Sequence, residues 1–214
     1  MTPSTAPTDG MPLRWNAVVL AGGRATRLGG VAKPLVTVRG RTMLEAALAA
    51  TAGAVQVVVV GDVPVPASVL RTREDPPHGG PAAGLAAGLR ALEEPAAWTV
   101  VLASDLPGAE QAVPVLLEEA AKDPPVDGVC FHDEASHPQW MLAVYRAQGL
   151  RRAVAAVETT DLSMRRLLAP LTLRSLPGDP EVIGDCDTWE DIRAAEGAAA
   201  LDASTPTDPE RGPR

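Results

Sequence analysis

The sequence predicts an α/β protein with a three-layer αβα fold and a mostly parallel mixed sheet. Apolar runs of strand length recur along the chain and are apolar on both faces, as expected for strands that helices cover on both sides. These runs alternate with helical patterns, which is typical of parallel strands joined by right-handed crossovers. The 214 residues are 46% hydrophobic, which suffices for one domain with a substantial core.

Six strands are predicted in chain order. The first is continuously apolar and ends at a Gly-Gly pair, and the second is rich in β-branched valine. The later ones are short apolar runs of the same kind. The predicted strands span residues 16–21, 54–60, 98–103, 128–132, 140–145 and 171–175.

Five helices are predicted between and after these strands. Two of them begin with a capping-box pattern, in which Thr42 is followed three residues later by Glu45 and Thr188 by Asp191. The helix that starts at Gly80 is rich in alanine and leucine. The predicted helices span residues 42–52, 80–93, 111–121, 150–157 and 188–199.

The two chain ends differ in composition from the rest. They are rich in Pro and Thr and offer little to bury, which predicts disordered tails at 1–13 and 198–214 around one domain at 14–197. We find neither a signal-peptide core nor an apolar run of about 18 residues, so a cytoplasmic protein without membrane contact is expected. The net charge of −8 argues against nucleic-acid binding through a basic surface.

The two cysteines, Cys130 and Cys186, are far apart in the sequence. Neither has a second Cys or a His at metal-ligand spacing. They are therefore predicted to be buried free thiols, and a disulfide framework or zinc site is not expected.

A glycine-rich loop follows the first predicted strand. Residues 20–33 contain four glycines, which let the backbone approach a ligand with its N–H groups, and Arg27 and Lys33 add positive charge. This combination favours binding of a triphosphate. The alternative is a flexible turn with solvated Arg and Lys side chains. The glycine spacing fits neither a Walker A loop nor the GxGxxG turn of dinucleotide-dependent oxidoreductases.

Two acidic segments are also positioned next to apolar elements. Asp105 lies two residues past the strand 98–103, where it could hold a cation beside phosphates, although a helix cap or turn former is the alternative. Asp185 and Asp187 precede the last helix, whose dipole favours acidic residues in any case. Ligands of such folds bind at the carboxyl ends of the strands, so these segments are expected near the glycine-rich loop.

These segments resemble the MobA-like nucleotidyltransferases, the family of the molybdenum cofactor guanylyltransferases. The resemblance rests on the LAGG run at 20–23 with the following Arg and Lys, on SDLP at 104–107 and on DCDT at 185–188. It covers about residues 15–196 and implies a Rossmann-like nucleotidyltransferase fold. It further implies that the nucleotide is bound by Leu20, Ala21, Gly22, Gly23, Arg27, Lys33, Asp75 and Gly80.

The resemblance also implies catalytic and metal-binding roles. Arg27, Lys33 and Asp105 are the implied catalytic residues, and Asp105 and Asp187 the implied ligands of Mg²⁺. The segment 74–85 resembles the family's GPLAGL turn, where the preceding acidic residue recognises the base. In this chain that role is assigned to Asp75, with the adjacent Glu74 as the alternative.

This chain differs from the family pattern at positions that concern recognition of the base and of the acceptor. Gly61 and Asp62 stand where the family has Asn after the second strand, which bears on the identity of the base. Asp is found in DCDT where Asn is common, which favours relatives that use cytidine or other acceptors. The acceptor pocket is assigned by resemblance to Gln139, Trp140 and Arg165, with a core strand and a solvated arginine as the alternative.

The function implied by the resemblance is transfer of GMP from GTP to molybdenum-molybdopterin with release of pyrophosphate. The alternatives are a cytidylyltransferase on the same pterin, a 2-phospholactate guanylyltransferase, and a non-catalytic nucleotide-binding regulator on the same fold. The expected partners are GTP or another NTP, a molybdopterin-type acceptor and, transiently, cofactor-biosynthesis proteins or apo-molybdoenzymes. No nucleic acid or membrane partner is expected.

Overall fold

The computed structural model describes residues 13–22 and 32–202. Within these residues, seven strands form a central sheet and two short strands form a hairpin. The strands are β1 (Trp15–Leu20), β2 (Thr37–Val38), β3 (Arg41–Thr42), β4 (Val57–Val60), β5 (Leu70–Thr72), β6 (Trp98–Ala103), β7 (Gly128–His132), β8 (Pro138–Arg146) and β9 (Leu173–Pro177).

The central sheet has the strand order β5-β4-β1-β6-β8-β7-β9. Strand β8 runs antiparallel to both of its neighbours, and the other neighbouring pairs are parallel. The first strand of the chain lies well inside the sheet, with Val18 opposite Val58 on one side and Val101 on the other. The prediction of a mostly parallel mixed sheet is confirmed.

Helices cover both faces of this sheet. On one face α1, α3 and α6 pack with Val19, and on the opposite face α2, α4 and α5 pack with Val18. Because side chains alternate along a strand, adjacent valines of β1 enter separate cores, which gives three layers. The helices are α1 (Met43–Ala50), α2 (Gly80–Ala91), α3 (Ala109–Ala121), α4 (Ala147–Ala155), α5 (Met164–Leu168), α6 (Pro180–Ile183) and α7 (Trp189–Asp202).

The six predicted strands and five predicted helices are all present, with ends that differ by a few residues. Both capping boxes are formed. The backbone N–H of Glu45 donates to the Thr42 hydroxyl, and the N–H of Asp191 donates to the Thr188 hydroxyl. In each case the acidic side chain accepts a bond from the backbone N–H of the threonine.

The β2–β3 hairpin, β5, α5 and α6 are not among the strands and helices predicted above. The strands have two or three residues and the helices have five and four, which is too short for hydrophobic periodicity to be recognised.

Helix α7 ends at Asp202, past the predicted domain boundary at residue 197. The rest of the two predicted tails, 1–12 and 203–214, lies outside the described residues, so the domain limits remain a prediction. Within the part of the chain that the structure describes, no helix has the length and apolar character needed to cross a membrane.

Candidate active site

The candidate site lies where the order of the strands changes direction. From β1, the chain places β4 and β5 on one side and then returns to place β6 on the other. The ends of β1 and β6 are held together beyond the strands, because the Ser104 N–H donates to the carbonyl oxygen of Leu20 at 3.0 Å. A crevice at the carboxyl ends of such strands is the usual ligand site of open α/β sheets.

A cleft of about 550 Å³ opens at this point. Its size falls within the range of small-molecule sites, and its walls combine apolar strand ends with polar and charged side chains. It is lined by Leu20, Gly22, Lys33, Pro34, Val60, Glu74, His78, Gly80, Pro81, Gly84, Ala103, Ser104, Asp105, Met141 and Asp187.

Three segments distant in sequence meet at the ammonium group of Lys33. This residue begins a short 3₁₀ helix (Lys33–Leu35), Asp105 follows β6, and Asp187 precedes α7. The Nζ of Lys33 donates to Oδ2 of Asp105 at 2.6 Å and also to Oδ1 of Asp187. The side chains of Lys33 and Asp105 are 17% and 22% exposed, so this ion pair is partly shielded from water.

A third carboxylate belongs to the same cluster. Asp105, Asp185 and Asp187 each offer an oxygen, and the three oxygens lie within 4.8 Å of one another. The Cys186 side chain between Asp185 and Asp187 is buried, and its N–H donates to the carbonyl oxygen of Asp105 at 3.0 Å. This bond ties the segment before α7 to the end of β6 and so brings the carboxylates together. Three carboxylate oxygens are hard donors that suit Mg²⁺ or a similar divalent cation.

Burial and neighbouring charges shift the pKa values in this cluster. Burial raises the pKa of the Asp185 carboxyl, and the negative charges of Asp105 and Asp187 raise it further. Burial alone would lower the pKa of Lys33, but its hydrogen bonds to the same two carboxylates, together with their charges, outweigh burial and raise it. The site therefore holds concentrated negative charge around one ammonium group.

The opposite end of the cleft is formed by the start of α2 and the segment before it. Gly80 has φ +87°, a backbone conformation that side chains other than glycine rarely adopt. Glu74 lines the cleft, and its Oε1 accepts a hydrogen bond from the His78 backbone N–H at 3.0 Å. Asp75, the predicted base-recognition residue, is exposed and does not line the cleft. Of these two acidic neighbours, the one on the cleft wall is therefore Glu74.

Most of the predicted nucleotide-binding residues are brought together here. Ala21 is buried beside the cleft, with its N–H donating to the Val60 carbonyl oxygen at 2.9 Å. Gly23 and Arg27 lie outside the described residues. The predicted residues that line the cleft are Leu20, Gly22, Lys33, Gly80, Asp105 and Asp187.

The predicted acceptor residues are not part of this lining. Gln139 and Trp140 are half-buried in β8, and Arg165 is exposed on α5. Met141, next to Trp140, is the residue of β8 that lines the cleft. Sequence reasoning named Glu74 only as the alternative to Asp75, and it assigned no role to Met141, which only its adjacency to Trp140 indicated.

Comparison with known proteins agrees with this geometry. A family model described as the MobA-like NTP transferase domain matches residues 17–176. A molybdenum cofactor guanylyltransferase of Rhodopseudomonas palustris (strain BisB5) is 32% identical over 199 residues, which cover 87% of this chain and 95% of the relative. The enzyme of the same name from Acidiphilium cryptum is 45% identical over 80 residues, or 35% of this chain and 41% of that relative.

Solved structures share the fold at lower identity. Molybdopterin-guanine dinucleotide biosynthesis protein A of Archaeoglobus fulgidus superimposes with a TM-score of 0.63 at 23% identity. The superposition covers 87% of this chain and 99% of that one. The predicted fold class is confirmed by this likeness.

Proposed function

The chain belongs to the MobA-like NTP transferase family, and on this premise we propose that it transfers GMP from GTP to molybdenum-bearing molybdopterin, releasing pyrophosphate. The observation that carries the proposal is the convergence of Lys33, Asp105 and Asp187 in one cleft at the sheet's switch point. Nucleotidyl transfer requires a positive charge that binds the phosphates and carboxylates that bind a metal ion.

The nucleotide is proposed to lie along the cleft with its phosphates at the Lys33 end. Gly22 lines the cleft, and a Cβ added there would meet no atom of the described residues within 4 Å. Lys33 supplies the positive charge for the triphosphate. Gly23 and Arg27 are proposed to add to this subsite, as the family resemblance implies.

The reaction is attack by a phosphate oxygen of the acceptor on the α-phosphorus of the nucleotide. The new P–O bond forms as the bond to the bridging oxygen of the β-phosphate breaks, and pyrophosphate leaves. Because the attacking oxygen is already anionic, the protein needs no strong general base and acts by positioning and charge stabilisation. A divalent cation, with Mg²⁺ as the proposed identity, would neutralise phosphate charge when held by Asp105 and Asp187.

Recognition of the base is proposed to involve Glu74 at the far end of the cleft. Guanine presents N1–H and N2–H donors on one edge, and a carboxylate accepts both, whereas adenine has no matching pair of donors. The Glu74 carboxylate is fixed by its bond from the His78 N–H and lines the cleft. This supports GTP as the donor.

The test of the proposal is turnover by the purified protein with Mg²⁺ and molybdopterin. GTP, CTP, ATP and UTP are compared for pyrophosphate release and for a nucleotide-pterin product. Product with GTP alone is expected. Preference for CTP would move the assignment to a cytidylyltransferase, and no product with any of the four would reject the pterin as acceptor.

The cytoplasmic location and the transient contacts with cofactor-biosynthesis proteins or apo-molybdoenzymes remain predictions. The family assignment is consistent with both, since the proposed product is a cofactor that another protein must receive.

A further inference from the structure

We infer that Lys33 competes with the divalent cation for the same carboxylate oxygens, and that triphosphate binding ends this competition by drawing the ammonium away. This inference rests on the proposed function, because it takes the cation and triphosphate sites assigned above. The inference adds that the cation site and the triphosphate site are energetically coupled through the Lys33 side chain.

The contacts of Lys33 define the competition. Its Nζ lies between Asp105 and Asp187, bonded to Oδ2 of the first at 2.6 Å and to Oδ1 of the second. These two residues belong to the carboxylate cluster that suits a divalent cation. An oxygen that accepts a bond from an ammonium group at this distance has no room for a metal ion along the same direction.

The charges of the cluster also favour competition between Lys33 and the divalent cation. Within the described residues, the ammonium of Lys33 lies among three carboxylates, those of Asp105, Asp185 and Asp187. A divalent cation that enters while Lys33 remains meets repulsion from the ammonium at short range. Once Lys33 has left, the full charge of the three carboxylates is available to the cation.

A triphosphate offers Lys33 an equivalent partner within reach. The lysine side chain is flexible and has four carbons, and both Gly22 and Lys33 line the same cleft. Movement of the ammonium replaces its ion pairs with Asp105 and Asp187 by ion pairs with the phosphates. Nucleotide binding therefore raises the affinity for the cation, and by reciprocity the cation raises the affinity for the nucleotide.

The first test measures Mn²⁺ binding without nucleotide, using the electron paramagnetic resonance signal of free Mn²⁺. Lys33→Met removes the charge at similar length, and Lys33→Arg keeps it. We expect Lys33→Met to bind Mn²⁺ at least about tenfold more tightly than the wild type, because a close like charge has been removed, and Lys33→Arg to bind as weakly as the wild type. Equal affinity in all three proteins, or no binding by Lys33→Met, would overturn the inference.

A further variant separates this inference from the proposed function. Asp105→Asn, made in the Lys33→Met protein, is expected to lose the tight Mn²⁺ binding. If Mn²⁺ binds equally well without the Asp105 carboxylate, the metal site of the proposed function is wrong. If Asp105→Asn weakens binding but Lys33→Met and wild type bind alike, the metal site stands and only the competition fails.

The second test uses the wild-type protein, so it does not depend on the folding of a variant. The chain has two lysines, Lys33 and Lys122, and the Lys122 side chain is 53% exposed on the protein surface. Acetylation of each is followed by mass spectrometry at rising Mn²⁺ concentration. We expect Mn²⁺ to accelerate labelling of Lys33 severalfold and to leave Lys122 unchanged. An unaltered Lys33 rate at saturating Mn²⁺ would contradict the competition.

Discussion

At the scale of single residues, Glu74 and Asp75 are neighbours in the sequence that face different surroundings in the fold. Glu74 is half-buried on the cleft wall, with its carboxylate bonded to the His78 N–H, whereas Asp75 is exposed to solvent. Two carboxylates of the same charge therefore have different access to a bound base. Replacement of each carboxylate by its amide therefore gives a matched pair of variants, one on the cleft wall and one exposed to solvent.

We predict that Glu74→Gln reduces the preference for GTP over ATP by about tenfold or more, because a carboxylate that accepts two bonds from guanine is replaced by an amide with only one accepting oxygen. Asp75→Asn, the control, is expected to leave the preference unchanged. The measurement is kcat/KM for both nucleotides. The reverse result would restore Asp75 as the residue that recognises the base.

The roles of Lys33, Asp105 and Asp187 were predicted from the family resemblance of their segments, because each residue alone also suits a solvated cation, a turn or a helix N-terminus. The sequence did not allow the bond between Lys33 and the two carboxylates to be predicted. Those contacts join residues 72 and 154 positions apart, and their approach depends on the whole sheet. The choice of Glu74 over Asp75 depends on which way one short segment faces, which no residue pattern encodes.

At the scale of elements, helix α2 approaches the sheet closely at Gly88. A Cβ at this position would lie 2.5 Å from Cγ1 of Val18, which is buried in the middle of β1. Gly197 in α7 is the opposite case, since it is exposed and a Cβ there would meet no atom within 4 Å in the part of the chain that the structure describes.

The same substitution is therefore expected to have opposite effects in the two helices. Gly88→Ala should lower the free energy of unfolding by about 1–3 kcal/mol through overpacking. Gly197→Ala should raise it by about 0.5–1 kcal/mol, because alanine loses less backbone entropy in a helix. Urea unfolding of both variants measures the difference. A stabilised Gly88→Ala protein would show that α2 does not pack this closely on β1.

The two capping boxes give a second comparison between elements. Thr188→Ala and Thr42→Ala should each cost about 1 kcal/mol of unfolding free energy, because each removes a helix cap. Only Thr188 directly follows Asp187, so only its loss should also raise the Mg²⁺ concentration needed for half-maximal turnover. Thermal unfolding and a Mg²⁺ titration of turnover are the measurements. An equal Mg²⁺ effect in both variants would argue against this local role of the cap.

Long apolar strands and capped helices were predictable because their signals are local and repeated. The β2–β3 hairpin and β5 were not predictable, since strands of two or three residues are too short to show hydrophobic periodicity. These short elements exist because the surrounding structure supplies their partners, as where β5 pairs with β4 through Val58–Val60.

At the scale of the whole molecule, the two predicted free thiols are buried in separate regions. Cys130 lies in β7 within the core on the α2 face, and Cys186 packs with Val36, Val38 and Ile192 beside α7. Burial raises the pKa of the Cys130 thiol, and burial together with nearby carboxylates raises the pKa of Cys186 to about 11.

We therefore predict that neither thiol of the folded protein reacts rapidly with a disulfide reagent at pH 8. A pKa of about 11 leaves only about one Cys186 in a thousand as the reactive thiolate at that pH. Two thiols per chain should become reactive in urea, at the midpoint seen by circular dichroism. Fast reaction of one thiol in the folded protein would show that its region opens independently.

The overall architecture was predictable because a three-layer fold follows from strands that are apolar on both faces. The exact strand order was not predictable, since strands that are adjacent in the sheet, such as β1 and β6, are far apart in the sequence. Loop closure over such distances depends on all the intervening elements together.

The distance along the chain between Lys33 and Asp187 has a consequence for protein synthesis. At about 5–20 residues per second, the ribosome needs about 8 to 30 seconds to add the 154 residues that separate these two partners. During that interval the growing polypeptide carries the lysine without its second carboxylate. A nascent or prematurely terminated chain that ends before Asp187 therefore lacks one of the two carboxylates bonded to Lys33.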